Sequence, residues 1–276
     1  MRVATVGNPN PYEFFGTFAG VPFWGGGLTL LPAAPGVGKT SWLLRQEFEA
    51  SAAGIPAVLG CYEHTEAELK YRFIQQAKAM VGGAHGAVSD AAVNAKLAAC
   101  SQAVLLALDD SRDTVRGLEE RLIDEFGFPE YGYALVAVDY LNRIPVVGLT
   151  GMLSAEQRSG QAATALRELA KKHNWAIIAA AALKKESFRN TTWDLSDLDG
   201  DERVPYVADR VLLVSREGEV SECGCLDLAV HTLKNRAGRI QTWKLQFWGE
   251  RFYPVLEHEF DNHFHASAYQ VIKEVA

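Results

Sequence analysis

Short, unbroken apolar runs alternate along most of this chain with longer segments in which apolar residues return every third or fourth position. The first kind predicts strands buried on both faces, and the second predicts helices with one buried stripe. "LTLLPA" (28–33) is the first such run, and "KTSWLLRQEFEASAAG" after it has helical spacing and a closing Gly suited to end a helix. "PAVLGCYE" (56–63) predicts a second strand and "TEAELKYRFIQQAKAM" (65–80) a helix with an acidic first turn. The alternation continues through "AVLLALDD" (103–110), "TVRGLEERLIDEFG" (114–127), "YALVAVDYL" (133–141), "SAEQRSGQAATALRELAKKHN" (154–174) and "WAIIAAAAL" (175–183). Such a sequence predicts an α/β fold, a mostly parallel sheet with helices on both faces. After that the pattern changes. "DRVLLVSREG", "LDLAVHTLKNRAGR" and "IQTWKLQFWGERFYPVL" read as strands joined by turns, and are expected to extend one edge of the sheet in antiparallel fashion. Residues 1–25, rich in Pro, Gly and aromatics, show neither period and read as an N-terminal arm.

Composition narrows the classes. In 276 residues, 48% are apolar and 22% charged, which suits an ordinary globular chain with a large core. The apolar runs stop well short of a membrane span, and the first residues contain no apolar core of a secretory signal, so no membrane association and a cytoplasmic location are expected. The net charge of −7 argues against a broadly basic nucleic-acid surface, while leaving room for a local basic channel inside an assembly. Four cysteines form no disulfide framework. Cys61, in an apolar run, reads as a small core residue. Cys223 and Cys225 in "ECGC" could hold a metal, but no second Cys/His pair stands at zinc spacing, and a hairpin loop accounts for them. "HEFDNHFH" carries His258, His263 and His265, either a metal site or a polar tail over 257–276.

The chemistry concentrates in Ala33-Ala34-Pro35-Gly36-Val37-Gly38-Lys39-Thr40. The phosphate-loop pattern asks for Gly first and Gly-Lys-[Ser/Thr] last; here Ala33 takes the first place. The strand before and the helix after restore the context. Such a loop turns backbone N–H groups and the positive end of a helix toward a phosphate. Residues Ala34 to Ser41 (Ala34, Pro35, Gly36, Val37, Gly38, Lys39, Thr40, Ser41) are the expected nucleotide contacts, Lys39 reaching the β- and γ-phosphates and Thr40 joining the Mg²⁺ shell. Asp139 ends the apolar strand "LVAVDYL", at the sheet edge where a carboxylate can hold Mg²⁺ through water. Glu63 ends "PAVLGCYE", next to the phosphate-loop strand on this reading, as a general base for the attacking water; the alternative makes it part of the next helix's acidic start.

The order of a phosphate loop opening with Ala, "YE" at the end of the second strand, and "VDYLNRIP" resembles the ATPase domain of replicative ring helicases of the DnaB type, in the RecA-like superfamily. "LALDD", "ALRELAKKHNWAII", "LSDLDG", "VADRVLLVSREG" and "LKNRAGR" extend the resemblance over about residues 26–254. It implies a RecA-like P-loop NTPase domain over 26–256, ATP and Mg²⁺ as cofactors, and a homo-oligomer, a hexameric ring, that hydrolyses ATP at subunit interfaces. Glu63 becomes the catalytic base, and Lys234 and Arg236 the fingers reaching the neighbouring subunit's γ-phosphate. Two cations at i and i+2 on a strand share a face, and a charge supplied in trans makes hydrolysis depend on assembly; the other reading is a solvated basic hairpin.

The resemblance also implies single-stranded DNA as a partner, through loops at 145–158 and 184–203. The first holds little charge beyond Arg158, whereas "KKESFRN" brings Lys184, Lys185 and Arg189 together with Phe188, able to track a backbone and stack a base, or simply to form a solvated loop. Three departures stand out. Ala182 occupies the place of the family's polar sensor, a common glutamate is replaced around Pro205, and, with the loop beginning at Ala33, the family's collar domain and linker helix are not expected ahead of it. The expected function is therefore an ATP-driven DNA helicase or translocase, with a RecA-like regulatory or recombination ATPase as the alternative. A small-molecule kinase shares only the phosphate loop.

Overall fold

The computed structural model describes residues 15–18, 21–146, 153–220, 224–236 and 238–256. The tail histidines 258, 263 and 265, Cys223, and the centre of the 145–158 loop lie outside them. A nine-stranded sheet organises the molecule, in the order β11-β10-β9-β8-β3-β7-β6-β4-β5. Its parallel part is β3 (Leu28–Pro32), β4 (Ala57–Cys61), β5 (Ala103–Ala107), β6 (Leu135–Asp139), β7 (Ala176–Ala181) and β8 (Arg210–Val220). The antiparallel edge is β9 (Cys225–Asn235), β10 (Thr242–Trp248) and β11 (Tyr253–Leu256), as expected, whereas "DRVLLVSREG", expected to join them, forms β8 parallel to β3, and the direction reverses only at β9.

Side-chain alternation divides each buried strand between two cores. Leu31, Leu59 and Ile178 pack beneath α1 (Lys39–Ala52) and α2 (Glu66–Gly82). Their neighbours Leu30, Val58 and Ile177 pack on the other face with Leu166 of α5 (Ala155–His173) and Leu118 of α4 (Val115–Asp124). Each such side chain, buried to within a few per cent, contributes about 1.5–3 kcal/mol. Because both faces are covered, the strands read as continuous apolar runs.

Three further details differ from the sequence expectation. The arm contains a hairpin, β1 (Phe15–Phe18) with β2 (Val21–Phe23), too short to display a period. A further helix, α3 (Asp90–Ala98), lies before β5; its Ala-rich face buries only Val93 among its residues, so no apolar stripe announces it. Most relevant to the site, β4 is not next to β3. Helix α1 carries the chain past two positions that β7 and β6 later fill. The strands share one apolar pattern, so the pattern alone assigns them no order.

Candidate active site

The C-terminal ends of β3, β6, β4 and β7 meet at one edge of the sheet, and the loop between β3 and α1 lies over it. Gly36 and Gly38 have φ of 83° and 86°, a region where side chains are strained. Gly38 is the N-cap of α1, which has no side-chain cap and no acidic residue in its first turn. Its first amides are left for an incoming acceptor. Lys39 Nζ donates to the carbonyls of Ala33 and Ala34, each at 3.2 Å. Burial lowers the ammonium's pKa from its ordinary value, against the opposing pull of Asp139 and Glu63.

Asp139 is fully buried at the end of β6, and its Oδ2 accepts from the Thr40 hydroxyl at 2.5 Å and from the Cys61 thiol at 3.6 Å. Cys61 is thus more than a core filler: it stands in register opposite Asp139, and burial first, then the neighbouring carboxylate, push its thiol up to about 12. Asp139 Oδ1 is buried without a partner. A hard cation with its water shell fits that orphaned oxygen beside a hydroxyl. Glu63 does not adjoin β3 as expected, yet it lines the same cavity of about 380 Å³ as Gly36, Lys39 and Thr40, within the usual range for a small-molecule site.

The sequence reading missed one wall. Arg72, Phe247 and Phe252 also line the cavity. The Phe247 ring lies against Gly38, where an added Cβ would stand 2.9 Å from it. Phe252 has φ of 50°, uncommon for a bulky side chain and expected only where surroundings enforce it. Gln76 supplies the enforcement, its Nε2 donating at 2.7 Å both to Phe252 O and to Ser41 O in α1. The Arg72 guanidinium stands 4.9 Å from the Phe252 ring centre. Only the aromatic doublet "ERFY" after a strand hinted at this wall; its closure over the loop is tertiary.

A family model for the DnaB-like helicase C-terminal domain matches residues 20–253. The chain belongs to this family. It is an ATPase family, and the DnaB-like chain is accordingly a nucleoside-triphosphate-hydrolysing enzyme of the replicative helicase family. Among solved structures, one described as an ATPase domain is similar with a TM-score of 0.68 and 20% identity, covering 84% of this chain and 86% of that one. A DnaB-like replicative helicase, described with its interactions with primase, gives 0.67 and 20% over 83% of this chain and 57% of its own. These likenesses bear on the fold, which is RecA-like as expected. No curated protein matches the DnaB-like chain by sequence. No helix among the described residues is long and apolar enough to cross a membrane.

The remaining predicted residues of the DnaB-like chain sit apart from the loop. Lys234 is on β9, opposite Val211, which is level with Leu30 of β3 rather than with the phosphate loop. Its Nζ donates to Pro205 O at 2.7 Å and Tyr206 O at 2.8 Å; Arg236, just past the strand, donates to Tyr206 O at 3.0 Å and pairs with Asp209 at 3.4 Å. Both cations therefore share a side, and neither lines the cavity. Lys185 and Arg189 are exposed on a short 3-10 turn, Lys185–Arg189, and Lys184 is half-buried before it. Phe188, expected to meet DNA, lines the cavity with Ala182 and Leu183 and remains exposed. Arg158 donates to Leu153 O from the start of α5. Cys225 is the buried first residue of β9, and no group of three or more metal-ligating side chains occurs among the described residues.

Proposed function

We propose that the DnaB-like chain binds ATP with Mg²⁺ in this cavity and hydrolyses it as part of a ring that translocates on single-stranded DNA. The observation that carries the reading is the uncapped, glycine-flanked start of α1, meeting Lys39, Thr40 and Glu63 around one cavity, with Asp139 buried behind the Thr40 hydroxyl. The α1 amides and Lys39 hold the phosphates, and Lys39 leaves its two loop carbonyls to do so. Thr40 and Asp139 hold Mg²⁺, which supplies neutralising charge to the phosphates when bound. Glu63 orients and polarises the attacking water as general base. Phe252, backed by Arg72, seats the base by stacking.

Lys234 and Arg236 lie outside their own cavity, which supports their service to a neighbour's γ-phosphate in a homo-oligomer, a hexameric ring. Continuity of the nine-stranded sheet supports reading residues 26–256 as one ATPase domain. Lys184, Lys185 and Arg189 form the DNA-facing basic loop. The similarity to a helicase described with primase makes a primase the first protein partner to assay. The second reading, a regulatory ATPase without strand separation, is favoured by one feature: Ala182 offers the cavity a methyl where a polar sensor is expected.

Unwinding of a forked duplex, measured with ATP and with a non-hydrolysable analogue, separates the two. Unwinding that needs hydrolysable ATP supports the helicase. ATP-dependent assembly without DNA-stimulated hydrolysis supports the regulator. Failure of a fluorescent adenine nucleotide with Mg²⁺ to bind at all removes both.

A further inference from the structure

The segment after β7 leaves the sheet and comes back on itself. Asp199 N donates to Ala182 O at 3.0 Å and Lys184 N to Asp197 O at 2.9 Å, with a Leu183–Leu198 bridge between them. This short ladder is the neck of a closed loop, residues 185–196, that carries Lys185 and Arg189. Inside, Asn190 Nδ2 donates to Asp197 Oδ1 at 2.8 Å, and Asp194 and Asp197 cap the turn Leu195–Asp197. The neck stands at the cavity: Ala182 and Leu183 line it, and Phe188 of the loop reaches back to it.

One side chain joins this neck to the strand that ends in Asp139. Asn142 follows Asp139 by three positions, in the turn Leu141–Arg143. Its Oδ1 accepts from Ala182 N at 3.1 Å. Its Nδ2 donates to Ser159 Oγ at 3.1 Å, to Asp199 Oδ2 at 3.2 Å and to Asp199 O at 3.4 Å. The acceptor and both donors of the amide are in use, so its orientation is set by its partners. It ties the ends of β6 and β7, helix α5 and the returning strand of the neck. With Ala182 presenting only a methyl, a change at the phosphates has no polar side chain at 182 to act on. It has the Ala182 backbone, which Asn142 holds.

We propose that Asn142 is a positioning residue that transmits occupancy of the cavity to the basic loop 185–196, through Ala182 N on one side and Asp199 on the other. This rests on the reading of the cavity as a nucleotide site. The two sides of the clamp are joined by hydrogen bonds and a two-rung ladder, so displacement of either strand end moves the neck as a unit. Regulation in this chain then runs through a main-chain clamp, and the loop's cations follow it.

The test is amide hydrogen exchange across residues 185–196 in the full chain, with and without a non-hydrolysable ATP analogue plus Mg²⁺, alongside nucleotide titration of the same samples. The wild-type loop is expected to change its exchange by about fivefold or more, the low end of ordinary coupling between sites. Asn142→Asp sets a carboxylate against Asp199 and is expected to abolish the response. The exchanged pair Asn142→Asp with Asp199→Asn restores a donor to face an acceptor and is expected to recover it, which a purely structural role does not predict. Asn142→Ala, losing the response while retaining uptake, serves if the charged variant fails to fold. Uptake without any loop response in the wild type, or a response that survives in both Asn142→Asp and Asn142→Ala, overturns the proposal. No uptake by the wild type overturns the nucleotide reading itself and the proposal with it.

Discussion

Helices α1 and α5 start from opposite solutions to the same backbone problem. The first turn of any helix leaves amides without intrahelical acceptors. In α5, Ser154 Oγ accepts from Gln157 N at 3.1 Å and Gln157 Oε1 accepts from Ser154 N at 3.0 Å, a reciprocal box that satisfies the terminus internally. Helix α2 does the same with Thr65 and Glu68, and adds Glu66. Helix α1 begins at a glycine with no side-chain acceptor and no acidic first-turn residue, next to a cavity. On the proposed reading, α5 and α2 close their own ends, while α1 leaves its end open for a phosphate. The difference is one residue of capping chemistry and the sign of the nearby charge.

The contrast can be broken most directly at Lys39. Lys39→Ala is expected to lower triphosphate affinity about 100-fold in fluorescence titration, the scale of one or two charge-assisted hydrogen bonds, with little change in melting temperature. Unaltered affinity would mean that α1 opens on nothing. Gly38→Ser transplants a capping residue onto α1 and is expected to weaken binding at least about tenfold, because φ of 86° and the Phe247 ring 2.9 Å from the new Cβ force the loop to shift. Phe252→Ala is expected to cost about tenfold for ATP and nothing for inorganic tripolyphosphate, dividing the base seat from the phosphate seat. Equal losses for both ligands would assign Phe252 to scaffolding. At the closed terminus, Ser154→Ala is expected to cost about 1 kcal/mol in denaturant unfolding while nucleotide affinity stays level.

A last prediction concerns α1 itself. Glu47 is fully buried and burial holds its carboxyl well above its ordinary pKa. The folded state therefore keeps a proton that the unfolded state releases. Stability should be greatest below the ordinary carboxyl pKa and fall as pH rises from there toward the folded value, by at most about 1.4 kcal/mol per pH unit for one proton. Glu47→Gln should flatten that part of the stability curve in denaturant unfolding across pH. A curve identical to the wild type's would show that Glu47 does not titrate between the two states.

Sequence alone determined the elements that depend on local period and turn chemistry. The apolar runs ending in Pro32, Cys61, Asp139 and Ala181 became buried strands, the phosphate loop was read from residue types spaced along a few positions, and "VDYL" put a carboxylate at a strand end. Helix α3 and the hairpin of the arm escaped because neither carries a stripe or alternation long enough to register. Only the tertiary structure decided that β7 and β6 stand between β3 and β4, since strands buried on both faces share one pattern and carry no label of their neighbours. It alone brought Phe252 and Arg72 from separate elements onto one wall, turned Phe188 into the cavity, and fastened Asn142 to Ala182 and Asp199. Local propensities act over a few bonds and are written in neighbouring residues. Contacts between residues tens to more than a hundred positions apart follow from how whole faces are buried, and no short stretch of chain records them.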